Sequence, residues 1–107
     1  LTYWGGCAVT GCKVFEALVA AHIKPWAKCS DRERMDQWNG LLLVGTLDRL
    51  FDSGLISFGD DGGMIISSLL TKRDLKTLGI TSGSQLAMVD PRHKRYLLWH
   101  RKNVFVV

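Results

Sequence analysis

Three stretches decide how this chain reads: Ala21-His22-Ile23-Lys24-Pro25-Trp26, Asn39-Gly40-Leu41-Leu42-Leu43 and Leu47-Asp48-Arg49-Leu50-Phe51-Asp52. A histidine is followed 17 residues on by an asparagine, and 9 residues further by an aspartate. In that order the three side chains supply a proton acceptor, a loop anchor and a cation ligand. Taken as bare residue types they read more readily as a buried histidine, an Asn-Gly turn and two solvated aspartates. The surrounding sequence decides between these readings.

Working outward, Val14 to Ala21 is rich in apolar residues and leads into His22. Its end reads as a strand, although Phe15-Glu16-Ala17-Leu18 is also compatible with helix. Pro25 disfavours helix at Lys24 and forces an extended exit. Ser30-Asp31-Arg32-Glu33-Arg34 reads as a polar loop or a single helical turn. Asn39-Gly40 marks a turn, and Leu41 to Val44 a short apolar strand. Thr46 is placed to cap a helix from about Leu47 to Ser53, ended by Gly54. On that helix Asp48 and Asp52 are four residues apart and share one face, with Leu47, Leu50 and Phe51 on the other.

Leu55-Ile56-Ser57-Phe58 and Met64-Ile65-Ile66-Ser67 flank Asp60-Asp61-Gly62-Gly63, which predicts a hairpin. Thr71 can cap a short helix to Leu78, ended by Gly79. Asp90-Pro91 is an N-cap with proline at the first helical position, opening a final helix to about Asn103.

At 107 residues the chain is expected to be one domain, and 47% hydrophobic with 22% charged residues places it among globular proteins. No apolar run approaches the ~20 residues a transmembrane helix needs. The start, Leu1-Thr2-Tyr3-Trp4-Gly5-Gly6, lacks the basic and apolar regions of a secretory signal. It also lacks an initiating Met, so an upstream domain is expected to be missing and the chain to be a C-terminal fragment. The three cysteines, Cys7, Cys12 and Cys29, form no disulfide framework and fit a reducing, cytoplasmic setting. Cys7 and Cys12 have zinc-like spacing but no second pair, so structural Zn²⁺ is not expected and small core residues are the better reading.

The formal net charge of +4 suits a polyanionic partner. Arg92, His93, Lys94, Arg95, Arg101 and Lys102 crowd the C-terminal end, and Lys72, Arg73 and Lys76 form a second group. Such groups neutralise phosphates, and they serve equally as solvated helix faces.

With these pieces in place, the chain resembles the HNH endonucleases, specifically their bacterial restriction-type branch. The resemblance is carried by Cys7-Ala8-Val9-Thr10-Gly11, Val19-Ala20-Ala21-His22-Ile23-Lys24-Pro25-Trp26 and Glu33-Arg34-Met35-Asp36. It continues through Asn39-Gly40-Leu41-Leu42-Leu43 and Leu47 to Phe58, and the tail Tyr96 to Phe105 is also similar to the family's ending. The fold this implies is α+β: a ββα-metal core with an added β-hairpin and a C-terminal helix.

The resemblance implies metal-dependent hydrolysis of phosphodiester bonds in DNA, double-stranded for preference. His22 is then the general base, since imidazole has the intrinsic pKa for the task. Asp48 is the metal ligand at a position where many members carry histidine, and a carboxylate there favours Mg²⁺ or Mn²⁺. Asn39 holds the loop that carries the base. Asp52 is a second ligand, a partner of the first or an Arg-paired structural residue. Ala21 stands where many members have a metal-binding Asp or His, so Asp52 or His100 would have to complete the ligand set.

Lys24, Arg34, Arg49, Arg95 and Arg101 are the candidate phosphate contacts, with Arg34 and Arg49 alternatively paired to Asp36, Asp48 or Asp52. Trp26 either packs beneath the loop or stacks on a base. A double-strand cut would require a homodimer, and target specificity would lie in the missing N-terminal domain or a second subunit. The rival reading is a non-catalytic nucleic-acid-binding module that keeps the nuclease fold. Another is a zinc-stabilised interaction domain built on the three cysteines.

Overall fold

The apolar stretch ending at His22 and the run after Asn39 do become partner strands. The computed structural model describes residues 3–81 and 83–107; Leu1 and Thr2, part of the start read above, lie outside it, as does Ser82. β1 (Leu18–His22) and β2 (Gly40–Val44) pair antiparallel, from Leu18 opposite Val44 to His22 opposite Gly40. Phe15–Ala17, the ambiguous segment, is a 3-10 turn feeding β1.

Seventeen residues, 23–39, join the two strands. Ser30-x-x-Glu33 opens the short helix α1 (Asp31–Met35) as a reciprocal capping box, with the Ser30 side chain on the Glu33 N–H and the Glu33 carboxylate on the Ser30 N–H.

β2 runs directly into α2 (Gly45–Asp52), which begins two residues earlier than the sequence suggests. Val44 occupies the cap position and makes no side-chain cap bond; Thr46 sits exposed inside the first turn. With no loop between strand and helix there is no place for a Thr46 cap. Gly54, at φ +79°, ends the helix in the left-handed conformation that glycine tolerates best.

β3 (Ile56–Phe58) and β4 (Met64–Ile66) form the expected hairpin, a second two-stranded antiparallel sheet. In its turn the Asp61 carboxylate accepts the Gly63 N–H at 2.9 Å, and Gly62 takes φ +88°. α3 (Lys72–Leu78) carries a Thr71–Asp74 capping box and stops at Gly79. Asp90 and Pro91 open a 3-10 turn that continues as α4 (Lys94–Asn103).

One hydrophobic core ties these parts together. Leu41 and Leu43 of β2, Leu47 and Phe51 of α2, Ile56 and Phe58 of β3, and Tyr96 and Leu97 of α4 are all in it. Burying each such side chain contributes roughly 1.5–3 kcal/mol. The N-terminal segment joins through Ala8, whose N–H donates to the Leu42 carbonyl while its own carbonyl accepts from Ala87. α2 is therefore clamped between the first sheet and the β3–α4 layer, and its polar face is left to point outward. Among the described residues no helix is long and apolar enough to cross a membrane.

Candidate active site

Strand alternation puts Ala21 into the core and leaves His22 half-buried at the end of β1. The same alternation along α2, now with helical period, buries Leu47 and Phe51 and turns Asp48 and Asp52 the other way. The two elements meet at one cleft of about 350 Å³, whose walls include His22, Trp26, Asp48, Asp52 and His100.

The His22 ring is oriented from behind. Its Nε2 lies 3.3 Å from the Arg34 carbonyl, and a carbonyl can only accept. Nε2 therefore carries the hydrogen in the neutral ring, and the lone pair is on Nδ1. The Trp26 and His22 rings make a T-shaped contact, 5.4 Å between centroids.

Asn39 is fully buried and spends its whole amide on the loop. Its Oδ1 accepts the Lys24 N–H at 2.8 Å, and its Nδ2 donates to the Glu33 carbonyl at 3.2 Å and towards the Cys29 sulfur at 3.3 Å. The backbone repeats the tie, since Ile23 N–H donates to the Asn39 carbonyl at 3.1 Å. One side chain thus binds the segment just after His22 to the end of the helix that presents the Arg34 carbonyl.

Both aspartates are shifted upward. Burial raises the Asp48 carboxyl against the pull of Arg49. Burial also raises Asp52, the charge of Asp48 adds to it, and Arg49 again opposes. Two carboxylates held on one helix face, each penalised when ionised, suit a cation between or beside them. Their oxygen chemistry fits a hard divalent ion. Among the described residues no three His, Cys, Asp or Glu side chains stand together as a ligand group. Water and phosphate oxygens would have to fill the remaining positions.

His100 does not complete the set. Its Nδ1 is 2.7 Å from the Ser57 hydroxyl and its Nε2 2.8 Å from the Phe51 carbonyl, so both nitrogens are engaged. The ring stacks on Phe51 at 3.7 Å, and burial pushes its pKa down to about 4. It is a packing residue in the wall of the cleft.

Two of the three cysteines have structural partners as well. The Cys7 sulfur accepts the N–H groups of Thr10 and Val44, each at 3.4 Å. The Cys29 thiol, besides its contact with Asn39, donates to the Lys24 carbonyl at 3.3 Å.

Four of the five candidate phosphate contacts are committed to partners within the protein. Lys24 places its ammonium 3.0 Å from both Glu33 carboxylate oxygens. Arg34 donates to the Trp26 carbonyl and faces Asp31, Arg95 reaches Asp36, and Arg101 spans the Phe58 carbonyl and Asp60. Arg49 is exposed, beside the two aspartates, and makes no ion pair among the described residues. Sequence reading passed over Glu33, which holds Lys24 and caps Ser30 at once; the Ser30-x-x-Glu33 spacing is its visible signal.

Residues 7–59 match the HNH endonuclease family model. The match takes in His22, Asn39, Asp48 and Asp52, together with β1, β2 and α2, and ends just after β3. The match points to a nuclease or another nucleic-acid-directed function, and the α+β fold is consistent with it. No curated protein matches the chain.

Proposed function

We propose that this protein is a metal-dependent DNA endonuclease of the restriction-type HNH branch, and that β1, β2 and α2 are its ββα-metal core. The supporting observation is that His22 from a strand and Asp48 and Asp52 from a helix line one cleft, with Asn39 locking the intervening loop.

In this reading Nδ1 of His22 takes a proton from the attacking water, while the Arg34 carbonyl on Nε2 fixes the tautomer and steadies the imidazolium that results. Asp48, with Asp52 one turn on, would hold the divalent ion, Mg²⁺ or Mn²⁺. Such an ion, when bound, stabilises the charge that builds on the phosphate and on the leaving 3′ oxygen. Asn39 touches no substrate and acts through the loop, as a positioning residue. Arg49 is the cation best placed to meet a phosphate near the aspartates. DNA contacts through the basic groups position the duplex and carry no sequence code.

The test is plasmid cleavage by this chain with Mg²⁺, with Mn²⁺ and with EDTA, beside His22→Ala. Metal-dependent nicking or linearisation that disappears in the variant supports the reading. Salt-sensitive binding with no cleavage under any metal would instead support the non-catalytic module.

A further inference from the structure

Trp26 is 56% exposed, although it is the largest kind of apolar side chain and stands at the mouth of the cleft. It does not fill the core, as a tryptophan in a small domain usually does. Nor is it loosely held. Pro25 precedes it, a 3-10 turn (Trp26–Lys28) carries it, and its carbonyl accepts the Cys29 N–H and the Arg34 Nε–H, both at 3.1 Å. The Arg34 guanidinium lies over the ring, 4.6 Å from its centroid, and the His22 ring meets the indole in a T-shaped contact, 5.4 Å between centroids. The protein thus orders an indole, backs one face with a cation and leaves much of the rest open beside the histidine.

We propose that Trp26, backed by Arg34, is a stacking platform for one unstacked nucleobase next to the scissile phosphate. The proposal rests on reading the cleft as the nucleic-acid site. An aromatic face pays for its exposure by accepting another π-face, and every base has one. Intact duplex offers only base edges in its grooves, the faces being covered by their neighbours. The ligand class is therefore nucleic acid with a locally opened base: a single strand, a flap, a bulge or a step that unstacks easily. Arg34 adds a second contribution, since a guanidinium held over one face of the ring fixes the ring's orientation.

The experiment measures affinity by fluorescence anisotropy in EDTA, so that no cleavage enters the readout. The probes are a fluorescein-labelled oligothymidylate and a blunt duplex of the same length. The proteins are the wild type, Trp26→Ala, Trp26→Leu and Trp26→Phe. Stacking predicts that the Ala and Leu variants bind the oligothymidylate roughly 5- to 150-fold more weakly, with little change on the duplex. Phe retains most of the affinity, and the salt slope is unchanged because no charge is removed. If the Ala variant fails to fold, the Leu and Phe variants still separate stacking from apolar bulk. Leu binding like the wild type, equal losses on both probes, or a wild type with no affinity for the single strand would each overturn the proposal. A protein that binds through Trp26 yet never cuts plasmid would sink the nuclease reading and leave the platform standing. Cleavage by a wild type whose affinity does not depend on Trp26 would do the reverse.

Discussion

Asn39 and Lys24 are fifteen residues apart in sequence, yet the asparagine Oδ1 accepts the lysine backbone N–H at 2.8 Å, in an environment fully closed to solvent at Asn39. This bond, with the two made by Nδ2, is what keeps the segment after His22 in register with the loop that orients its ring.

Asn39→Ala should therefore destabilise the fold by about 2–3 kcal/mol, since it strands a backbone donor as well as deleting hydrogen bonds. Asn39→Asp keeps the acceptor for Lys24 but sets a buried carboxylate against the Glu33 carbonyl, and should cost at least as much as the alanine. Urea unfolding at neutral pH reads both values. An alanine variant within a few tenths of a kcal/mol of wild type would show that the loop holds itself.

His22→Ala is expected to lower cleavage by at least about 10²-fold, the usual contribution of a general base. DNA affinity measured in EDTA should stay where it was, because the ring carries no fixed charge for a phosphate and its hydrogen bond goes to the Arg34 carbonyl within the protein. Substantial residual cutting would remove His22 from the base role.

For the aspartates, Asp48→Ala should abolish cleavage and weaken Mn²⁺ binding followed by paramagnetic relaxation. Asp52→Asn should weaken Mn²⁺ less, if Asp52 is the subsidiary ligand. Wild-type Mn²⁺ affinity in the Asp48 variant would place the ion elsewhere.

Acid should destabilise the protein in a defined window. His100, depressed from 6.5 to about 4 by burial, stays neutral in the folded state while the unfolded chain takes up a proton. Its contribution is present above pH 6.5, declines as the pH falls, and is gone below about 4; the full loss is about 3 kcal/mol. His93 is shifted the same way by burial, against the nearby Asp90 carboxylate, and its Nδ1 accepts the Asp90 N–H, a bond a protonated ring cannot keep. Thermal midpoints between pH 7 and 4.5 should fall accordingly, and less steeply in His100→Gln. A flat profile in the wild type would contradict the burial argument.

Much of the frame was readable from local chemistry. Capping residues at Thr71 and Asp90, glycines at 54 and 79 and the Asp-Gly-Gly turn each announce a backbone event within a few residues of themselves. The shared face of Asp48 and Asp52 follows from helical period alone. What was hidden depends on distant partners. Nothing near Arg95 or Arg101 in sequence shows that Asp36 and Asp60, 59 and 41 residues away, will take them up. The same holds for His100, whose partners Ser57 and Phe51 come from β3 and the end of α2. The start of α2 was misplaced because a capping residue was assumed where a strand simply continues into a helix.

The excursion between the paired strands is fastened at its neck, at Ile23, Lys24 and Asn39. Between the fastenings, Ala27, Lys28 and Arg32 are exposed. Lengthening such a loop costs only about 0.6 kcal/mol for each doubling. Natural variation could thus rewrite its outer portion, by insertion or by new charges, without disturbing the geometry of the histidine. On the proposed function, this would let the outer positions change independently of the histidine, and an engineer seeking a changed preference would begin there.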